Sequence, residues 1–102
     1  MQFMITAYDG TDEAALSRRR NIRPLHLENI RQVQEQGRFV CAGGIKNDSG
    51  SPIGSFLILE FESQEALDAY LSEEPYIVHQ VWETVHVEAC SVVILDDRFV
   101  EQ

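Results

Sequence analysis

Basic residues are scarce in this chain of 102 residues. It has 8 lysines and arginines against 17 aspartates and glutamates, which gives a formal net charge of −9. A protein that binds nucleic acid needs a basic face to neutralise the phosphates, so this balance argues against a nucleic-acid partner. Apolar residues make up 44% of the chain and charged residues 25%, which is ordinary for a globular domain. The length predicts a single domain with one core.

Cysteines and long apolar runs are also scarce. Cys41 and Cys90 lie in strand-like apolar segments and form no C-x-x-C motif, so we expect two buried thiols rather than a disulfide. Residues 1–8 have neither a basic start nor a long apolar stretch, which predicts neither a secretion signal nor a membrane span. We therefore expect a cytoplasmic protein without a membrane partner.

The hydrophobic pattern predicts a regular order of strands and helices. Four strands are expected, at residues 2–8, 38–45, 53–61 and 85–95. A helix at 13–36, capped by Thr11 or Asp12, should join the first two strands, and a second helix capped by Ser63 should precede the last. This βαββαβ order is typical of the ferredoxin-like α+β fold class. Its right-handed crossovers place both helices on one face of a four-stranded antiparallel sheet.

Both faces of the predicted sheet are apolar. In the third strand Phe56 and Ile58 point to one face, while Leu57 and Leu59 point to the other, and the last strand alternates similarly up to Leu95. The helices of one copy can cover only one face. A second copy is the simplest cover for the other face, so we expect a homodimer with face-to-face sheets, an α+β barrel-type assembly.

One histidine has an informative local context. His26 follows Pro24 by two residues, and proline is best tolerated in the first turn of a helix or at a kink. We therefore expect a kink or a one-turn interruption near Asn21, with His26 in the first turn that follows it. The helix dipole there favours a neutral imidazole, which can accept a proton as a general base. The alternative is a partly exposed histidine without a function.

Four arginines lie close to this histidine, and a pair of glycines follows in the next strand. The arginines are Arg18, Arg19, Arg20 and Arg23. They predict either a solvated helix face, which we favour for three of the four, or a local anion site. The backbone N–H groups of Gly43 and Gly44 could approach a ligand, although a bulge or bend at a strand end explains such a pair equally well.

Five short segments occur in a distinctive order and spacing. They are Ala7-x-Asp9, Arg20-x-x-Arg23-Pro24-x-His26-Leu27, Gly37-Arg38-Phe39-Val40-x-Ala42-Gly43-Gly44, Phe61-Glu62-Ser63-x-Glu65-Ala66 and Pro75-Tyr76. Together they resemble the YCII-related (YciI-like) family over nearly the whole chain. The resemblance implies a ferredoxin-like dimer with a site around a histidine and an aspartate. The family members that this chain resembles include a dehydrochlorinase of chlorinated hydroxyhydroquinones. We expect one YCII-related domain at residues 1–97 and a C-terminal tail at 98–102.

The resemblance also implies which residues form the site. Family members usually have Asp-Pro-Tyr where this chain has Glu74-Pro75-Tyr76. The catalytic candidates are therefore His26 and a carboxylate partner, with Glu74 as first choice and Asp9 as second. The substrate-binding candidates are Arg23, Gly43, Gly44 and Tyr76.

Two functions from different classes are compatible with these residues. The first is a cofactor-free enzyme of lyase or isomerase type, in which His26 moves a proton on a small anionic or phenolic substrate. The second is a non-catalytic dimeric module that binds a small ligand or serves as an accessory subunit. We expect no cofactor and no metal, because no nucleotide fingerprint is present and His26, His79 and His86 lack a ligand spacing.

Overall fold

The computed structural model describes residues 1–96 and 98–100. Its elements are β1 Gln2–Asp9, α1 Ala15–Glu35, β2 Phe39–Lys46, β3 Pro52–Glu60, α2 Gln64–Leu71, α3 Pro75–Val78, β4 Trp82–Cys90, β5 Ile94–Leu95 and β6 Arg98–Phe99. The predicted domain end at residue 97 and residues 101–102 of the predicted tail lie outside the described residues. That boundary stays a prediction.

The main sheet has the strand order β2-β3-β1-β4, with every neighbouring pair antiparallel. Helices α1 and α2 pack on one face, where strand residues such as Ile5 and Leu59 form the core together with Val33 of α1 and Leu67 of α2. This arrangement confirms the predicted ferredoxin-like α+β fold class.

The predicted capping of α1 is wrong at its N-terminal end and correct at its C-terminal end. Ala14 occupies the N-cap position without a side-chain cap, so the expected caps Thr11 and Asp12 are wrong. Asp12 instead accepts hydrogen bonds from the Arg18 guanidinium at 2.8 and 3.1 Å. At the other end Gly37 has a φ of 74° just after the helix, as expected for a glycine that ends a helix.

Helix α1 continues without interruption through Pro24, so a one-turn interruption near Asn21 is wrong, and the alternative of a kink stays a prediction. A proline inside a helix costs about 3 kcal/mol or more, and burial of one face of α1 offsets this cost. The buried residues of that face are Arg19, His26 and Val33. His26 thus lies mid-helix, and the helix-dipole argument for its neutral form does not apply. Despite the length of α1, no helix of the described chain is apolar and long enough to span a membrane.

Strand β4 begins at Trp82 and ends at Cys90, so the predicted strand 85–95 is wrong at both ends. The physical reason is its position at the edge of the sheet. In the described part of the chain β4 pairs with β1 alone, and β1 begins at Gln2, which pairs with Cys90. The β1–β4 ladder ends at this pair, and Ile94 and Leu95 pair instead with β6 in a separate ribbon.

The face opposite the helices is apolar over part of its width. Phe56 is 38% exposed there, and Ile58 is half-buried. The β4 residues on this face are polar: Thr84, His86 and Glu88 pair with Tyr8, Thr6 and Met4. The predicted homodimer stays a prediction, and the apolar surface available to it spans β1, β2 and β3.

The two cysteines are free thiols and only half-buried. Cys41 lies on β2 and Cys90 on β4, at opposite edges of the sheet. Three strand spacings separate these edges by about 14 Å, whereas a disulfide needs Cα atoms less than about 7 Å apart. The expected absence of a disulfide is confirmed, and the expected full burial is wrong.

Candidate active site

The structure places His26 beside Glu74. Nδ1 of the imidazole lies 2.5 Å from Oε1 of the carboxylate, and the two side chains are 8% and 1% exposed. They come from the middle of α1 and from the N-cap position of α3. An ionised carboxylate only accepts hydrogen bonds, so with Glu74 in that form the hydrogen of this contact lies on Nδ1.

Glu74 is held by further donors. Its Oε1 accepts from the backbone N–H of Tyr76 at 3.1 Å, an N-cap bond in a turn that begins with Pro75. Its Oε2 accepts from Asn29 Nδ2 at 2.7 Å and lies 3.4 Å from the Tyr70 hydroxyl. Burial and the nearby Glu74 charge raise the pKa of Tyr70. The carboxylate is therefore fixed before any ligand binds.

Two aromatic rings hold the imidazole in place. The Tyr76 ring stacks on His26, with centroids 3.9 Å apart and planes 6° from parallel. Trp82 contacts His26 edge-on, at 5.7 Å and 78°. Burial raises the pKa of the Tyr76 hydroxyl, and the positive charges of Arg19 and Arg23 oppose that rise. The tyrosine therefore acts here as a neutral stacking surface.

Asp9, the second candidate partner of His26, lies elsewhere in the site. Its carboxylate accepts two hydrogen bonds from Arg19 Nη1, at 2.8 and 3.0 Å. Arg19 Nη2 donates to the Gly54 carbonyl at 3.1 Å and to Ser55 Oγ at 2.9 Å. These bonds join β1, α1 and β3. The structure therefore pairs Asp9 with a guanidinium and not with the imidazole.

A cavity of about 470 Å³ adjoins His26. Its lining consists of Arg19, Arg20, Arg23, His26, Ala42, Gly43, Gly44, Lys46, Pro52, Ser55, Phe56, Leu57 and Tyr76. All four predicted substrate-binding residues are among them. Basic side chains contribute to this lining and acidic side chains do not, which favours an anionic ligand.

Small residues on β2 leave this space open. Ala42 and Gly44 lie on the helix-covered side, since Gly44 pairs with the buried Ser55. A Cβ added to Gly44 would approach only the Gly54 carbonyl oxygen, at 3.9 Å. Gly43 has a different role, because the Phe56 ring lies where its Cβ would be, 2.4 Å from Cζ. Gly44 therefore borders empty space, while Gly43 accommodates an aromatic ring.

The second ring nitrogen of His26 is not fully buried. Within the described residues every buried side-chain nitrogen or oxygen has a hydrogen-bond partner. The hydrogen bond of His26 to this part of the chain is made by Nδ1. Nε2 is therefore not fully buried, and His26 lines the cavity. The two other histidines, His79 and His86, are exposed and do not line it.

Metal-ligand geometry is absent from the part of the chain that the structure describes. Among residues 1–96 and 98–100, no group of three histidine, cysteine, aspartate or glutamate side chains is placed to hold a metal ion.

Several residues of this site were missed by the sequence analysis. Arg19 was not singled out among the four arginines, yet it is only 9% exposed. Its spacing to Arg23 and His26, at i, i+4 and i+7, places the three on one helix face and was a usable signal. Asn29 continues that face. Ser55 is 2% exposed and carried no local signal, because its partners lie far away in sequence.

Solved structures with a similar fold support this architecture. A 5-chloro-2-hydroxyhydroquinone dehydrochlorinase (TftG) from Burkholderia phenoliruptrix, in complex with 2,5-dihydroxybenzoquinone, is 22% identical with a TM-score of 0.77, over 89% of this chain and 94% of that one. A dimeric ferredoxin-like protein of unknown function from a Jannaschia species is 15% identical with a TM-score of 0.51, over 89% and 98%.

Sequence comparisons identify the family. Protein YciI of Escherichia coli O6:H1 is 36% identical over 94 residues, which cover 86% of this chain and 94% of that protein. An uncharacterized protein of Haemophilus influenzae is 29% identical over the same shares. The family model of the YCII-related domain matches residues 1–91. The chain therefore belongs to the YCII-related family.

Proposed function

We propose that the protein is a cofactor-free enzyme of lyase or isomerase type, which transfers a proton on a small anionic or phenolic substrate. One observation carries this proposal: His26 lines a basic cavity while Glu74 holds its Nδ1 atom. A histidine with one nitrogen held by a carboxylate and the other accessible has the geometry of a general base.

The proposed chemistry uses Nε2. Because Nδ1–H donates to Glu74, the lone pair of Nε2 is left for the substrate. Nε2 takes the proton of a substrate hydroxyl, or of a C–H next to a carbonyl, and the bonding electrons stay on the substrate as a phenolate or enolate. Return of this proton to a substrate carbon completes an isomerisation. Expulsion of a halide by the enolate electrons, with release of the proton to water, completes an elimination.

The surrounding groups stabilise the charges of this step. The Glu74 carboxylate stabilises the imidazolium that forms. Arg23 lines the same cavity one helical turn before His26 and stabilises the negative charge that develops on the substrate oxygen. Strand β2 is an edge strand, so alternate backbone N–H groups have no strand partner. Either Gly43 or Gly44 therefore offers an N–H group to the ligand.

The comparisons add support to two parts of this proposal. The solved dehydrochlorinase complex pairs a similar fold with 2,5-dihydroxybenzoquinone, which makes that compound a rational first probe. The dimeric ferredoxin-like protein supports assembly of this chain into a homodimer through the apolar surface around Phe56. Light scattering that returned a monomer at micromolar concentration would reject the dimer.

Proton transfer can be measured before the natural substrate is known. In D2O, incorporation of deuterium at the ring carbons of 2,5-dihydroxybenzoquinone, followed by proton NMR, reports formation and reprotonation of the enolate. We expect the wild type to accelerate this exchange and His26→Gln to lower the enzymatic rate by about 10²–10⁴-fold. His79→Gln, an exposed histidine outside the cavity, is the matched control and should behave as the wild type.

A second assay follows chloride release from 5-chloro-2-hydroxyhydroquinone. Wild-type protein that binds the quinone, yet accelerates neither exchange nor chloride release, would favour the binding module over the enzyme. Equal exchange rates for the wild type and His26→Gln would remove the histidine from the proposed mechanism.

A further inference from the structure

Within residues 1–96, the basic side chains without an acidic partner converge on one cavity. Seven of the eight lysines and arginines lie in residues 1–96. Four of these seven, Arg18, Arg19, Arg31 and Arg38, form ion pairs with aspartate or glutamate. The other three are Arg20, Arg23 and Lys46. They form no ion pair within the described residues, and all three line the cavity beside His26.

The acidic composition of the chain makes such a group of unpaired cations unexpected. With 17 acidic residues against 8 basic ones, an exposed cation has many carboxylates available to it. Yet no acidic side chain lines this cavity. Like charges gathered around one cavity repel each other in the absence of a ligand and attract an anion strongly. The arrangement therefore points to more than one negative charge on the ligand.

The three cations come from two elements. Arg20 and Arg23 lie on α1, one helical turn apart, and Lys46 is the last residue of β2. Arg19 also lines the cavity, but its Nη1 atom is bonded to Asp9. The positive charges left for a ligand are thus divided between a helix wall and a strand wall, which suits separated anionic groups better than a single one.

We propose that the substrate is a dianion with two separated negative charges, one held by Arg20 and the other by Lys46. Arg23, three residues before His26, is left for the third charge, which develops when Nε2 removes the proton. A hydroxylated aromatic dicarboxylate has this charge pattern. This inference rests on the proposed function, and it specifies the substrate class of the same site.

Binding can be read from the protein itself. Trp82 is the single tryptophan of the chain, and its ring contacts His26, so its fluorescence reports on the cavity. The probes are 2,5-dihydroxyterephthalate, 2,5-dihydroxybenzoate and hydroquinone, which share a ring and two hydroxyls and carry two, one and no carboxylates. We expect the affinity to rise about tenfold with each carboxylate, a difference of about 1.4 kcal/mol. Added salt should weaken this trend, because the three cations are exposed.

Charge-removing variants test which residues hold the two carboxylates. Arg20→Gln and Lys46→Gln should each weaken binding of the dicarboxylate by about tenfold, with a smaller effect on the monocarboxylate. The control is Arg31→Gln, which removes the same charge from the same helix outside the cavity. Equal effects of all three variants, or equal affinities of the three probes, would overturn the proposal. Tighter binding of phenyl phosphate, whose charges share one group, would overturn the two-point arrangement.

Different experimental results would overturn the proposed enzyme and the proposed dianionic substrate. His26→Gln should lose proton exchange and keep the preference for the dicarboxylate. Loss of that preference in a wild type that still catalyses exchange would overturn the dianion inference alone. A strong preference for the dicarboxylate without any exchange in the wild type would instead overturn the proposed enzyme.

Discussion

Two buried carboxylates of the site differ in the charge of their partners. Asp9 is 8% exposed and Glu74 is fully buried. Asp9 accepts two hydrogen bonds from the permanently charged Arg19 guanidinium. Glu74 accepts from an imidazole, an amide and a backbone N–H. The charge of Asp9 is thus balanced by a permanent positive charge. Glu74 instead accepts hydrogen bonds from uncharged donors and from a ring that can change its protonation state.

This difference separates a structural role from a chemical one. The bonds of Arg19 reach the Gly54 carbonyl and Ser55 Oγ on β3, so the Asp9 ion pair fastens α1 to the sheet. A buried ion pair of this kind leaves an uncompensated charge when one partner is removed. Glu74 contacts His26, the side chain that gains and loses a proton in the proposed mechanism. Its carboxylate can therefore stabilise the imidazolium when that forms.

Asp9→Asn should therefore have the largest effect on stability. It leaves the Arg19 guanidinium buried without a counter-charge, and we expect the free energy of unfolding to fall by about 3–5 kcal/mol. Urea denaturation followed by circular dichroism measures this change. A loss below about 1 kcal/mol would contradict the structural role of the ion pair.

The double variant Asp9→Asn/Arg19→Met sharpens this test. It removes both charges, so it should be more stable than Asp9→Asn alone. A double-mutant cycle with Arg19→Met then isolates the coupling between the two side chains. Additive effects of the two substitutions would show that the ion pair does not link them energetically.

Glu74→Gln should have a smaller effect on stability and a larger effect on activity. The glutamine oxygen can replace only one carboxylate oxygen: at the position of Oε1 it keeps the contacts to His26 and Tyr76, and at the position of Oε2 it keeps the contact to Asn29. Some of the donors around Glu74 therefore lose their acceptor, and we expect a loss of about 1–2 kcal/mol of unfolding free energy. Either orientation removes the negative charge that stabilises the imidazolium, and the second also turns an NH2 group, which cannot accept a hydrogen bond, towards His26 Nδ1. We expect deuterium exchange to slow by about 10–10²-fold, less than for His26→Gln.

The neighbouring Glu73→Gln is the matched control, because Glu73 is exposed and carries the same charge. It should leave exchange and stability close to those of the wild type. If Glu74→Gln slowed exchange no more than Glu73→Gln does, Glu74 would be only a helix cap.

The exposed pair of Asp12 and Arg18 should have the smallest effect. The Arg18 hydrogen bonds lower the pKa of Asp12 from 3.8 to about 2. Because the pKa is lower in the folded state, the ionised carboxylate favours folding, and its contribution is present above pH 3.8 and lost as the pH falls towards 2. Solvent and salt screen this pair. The urea midpoints of the wild type and Asp12→Asn should differ slightly near pH 6 and coincide near pH 2; a difference that grew towards low pH would contradict this sign.

The fold was largely predictable because its signals are local. Alternation along 53–61 separated Leu57 and Leu59 from Phe56 and Ile58, and the structure buries the first pair. Ser63 was correctly predicted as a helix cap, since its side chain accepts from the backbone N–H of Ala66. The errors lie where contacts with a part of the chain distant in sequence determine the bounds of an element. The end of β4 depends on where β1 begins, and the unbroken helix at Pro24 depends on burial of one face of α1.

The candidate site was predictable in part. The family resemblance indicated His26 with Glu74 or Asp9, and the structure brings His26 and Glu74 together across 48 residues of sequence. No local pattern decides between two carboxylates at such a separation. The burial of Arg19, which bonds to Ser55 across 36 residues, depends equally on the packing of α1 against β3.

The sequence by itself determined the order of elements, the division of the β3 side chains between two faces and the acidic balance of the chain, because these follow from residue spacing and composition. Only the tertiary structure decided which carboxylate contacts the imidazole, which cations lack acidic partners and where a cavity remains. Those outcomes depend on how α1 and α3 lie against the sheet. That packing brings together side chains whose positions in the sequence carry no information about one another.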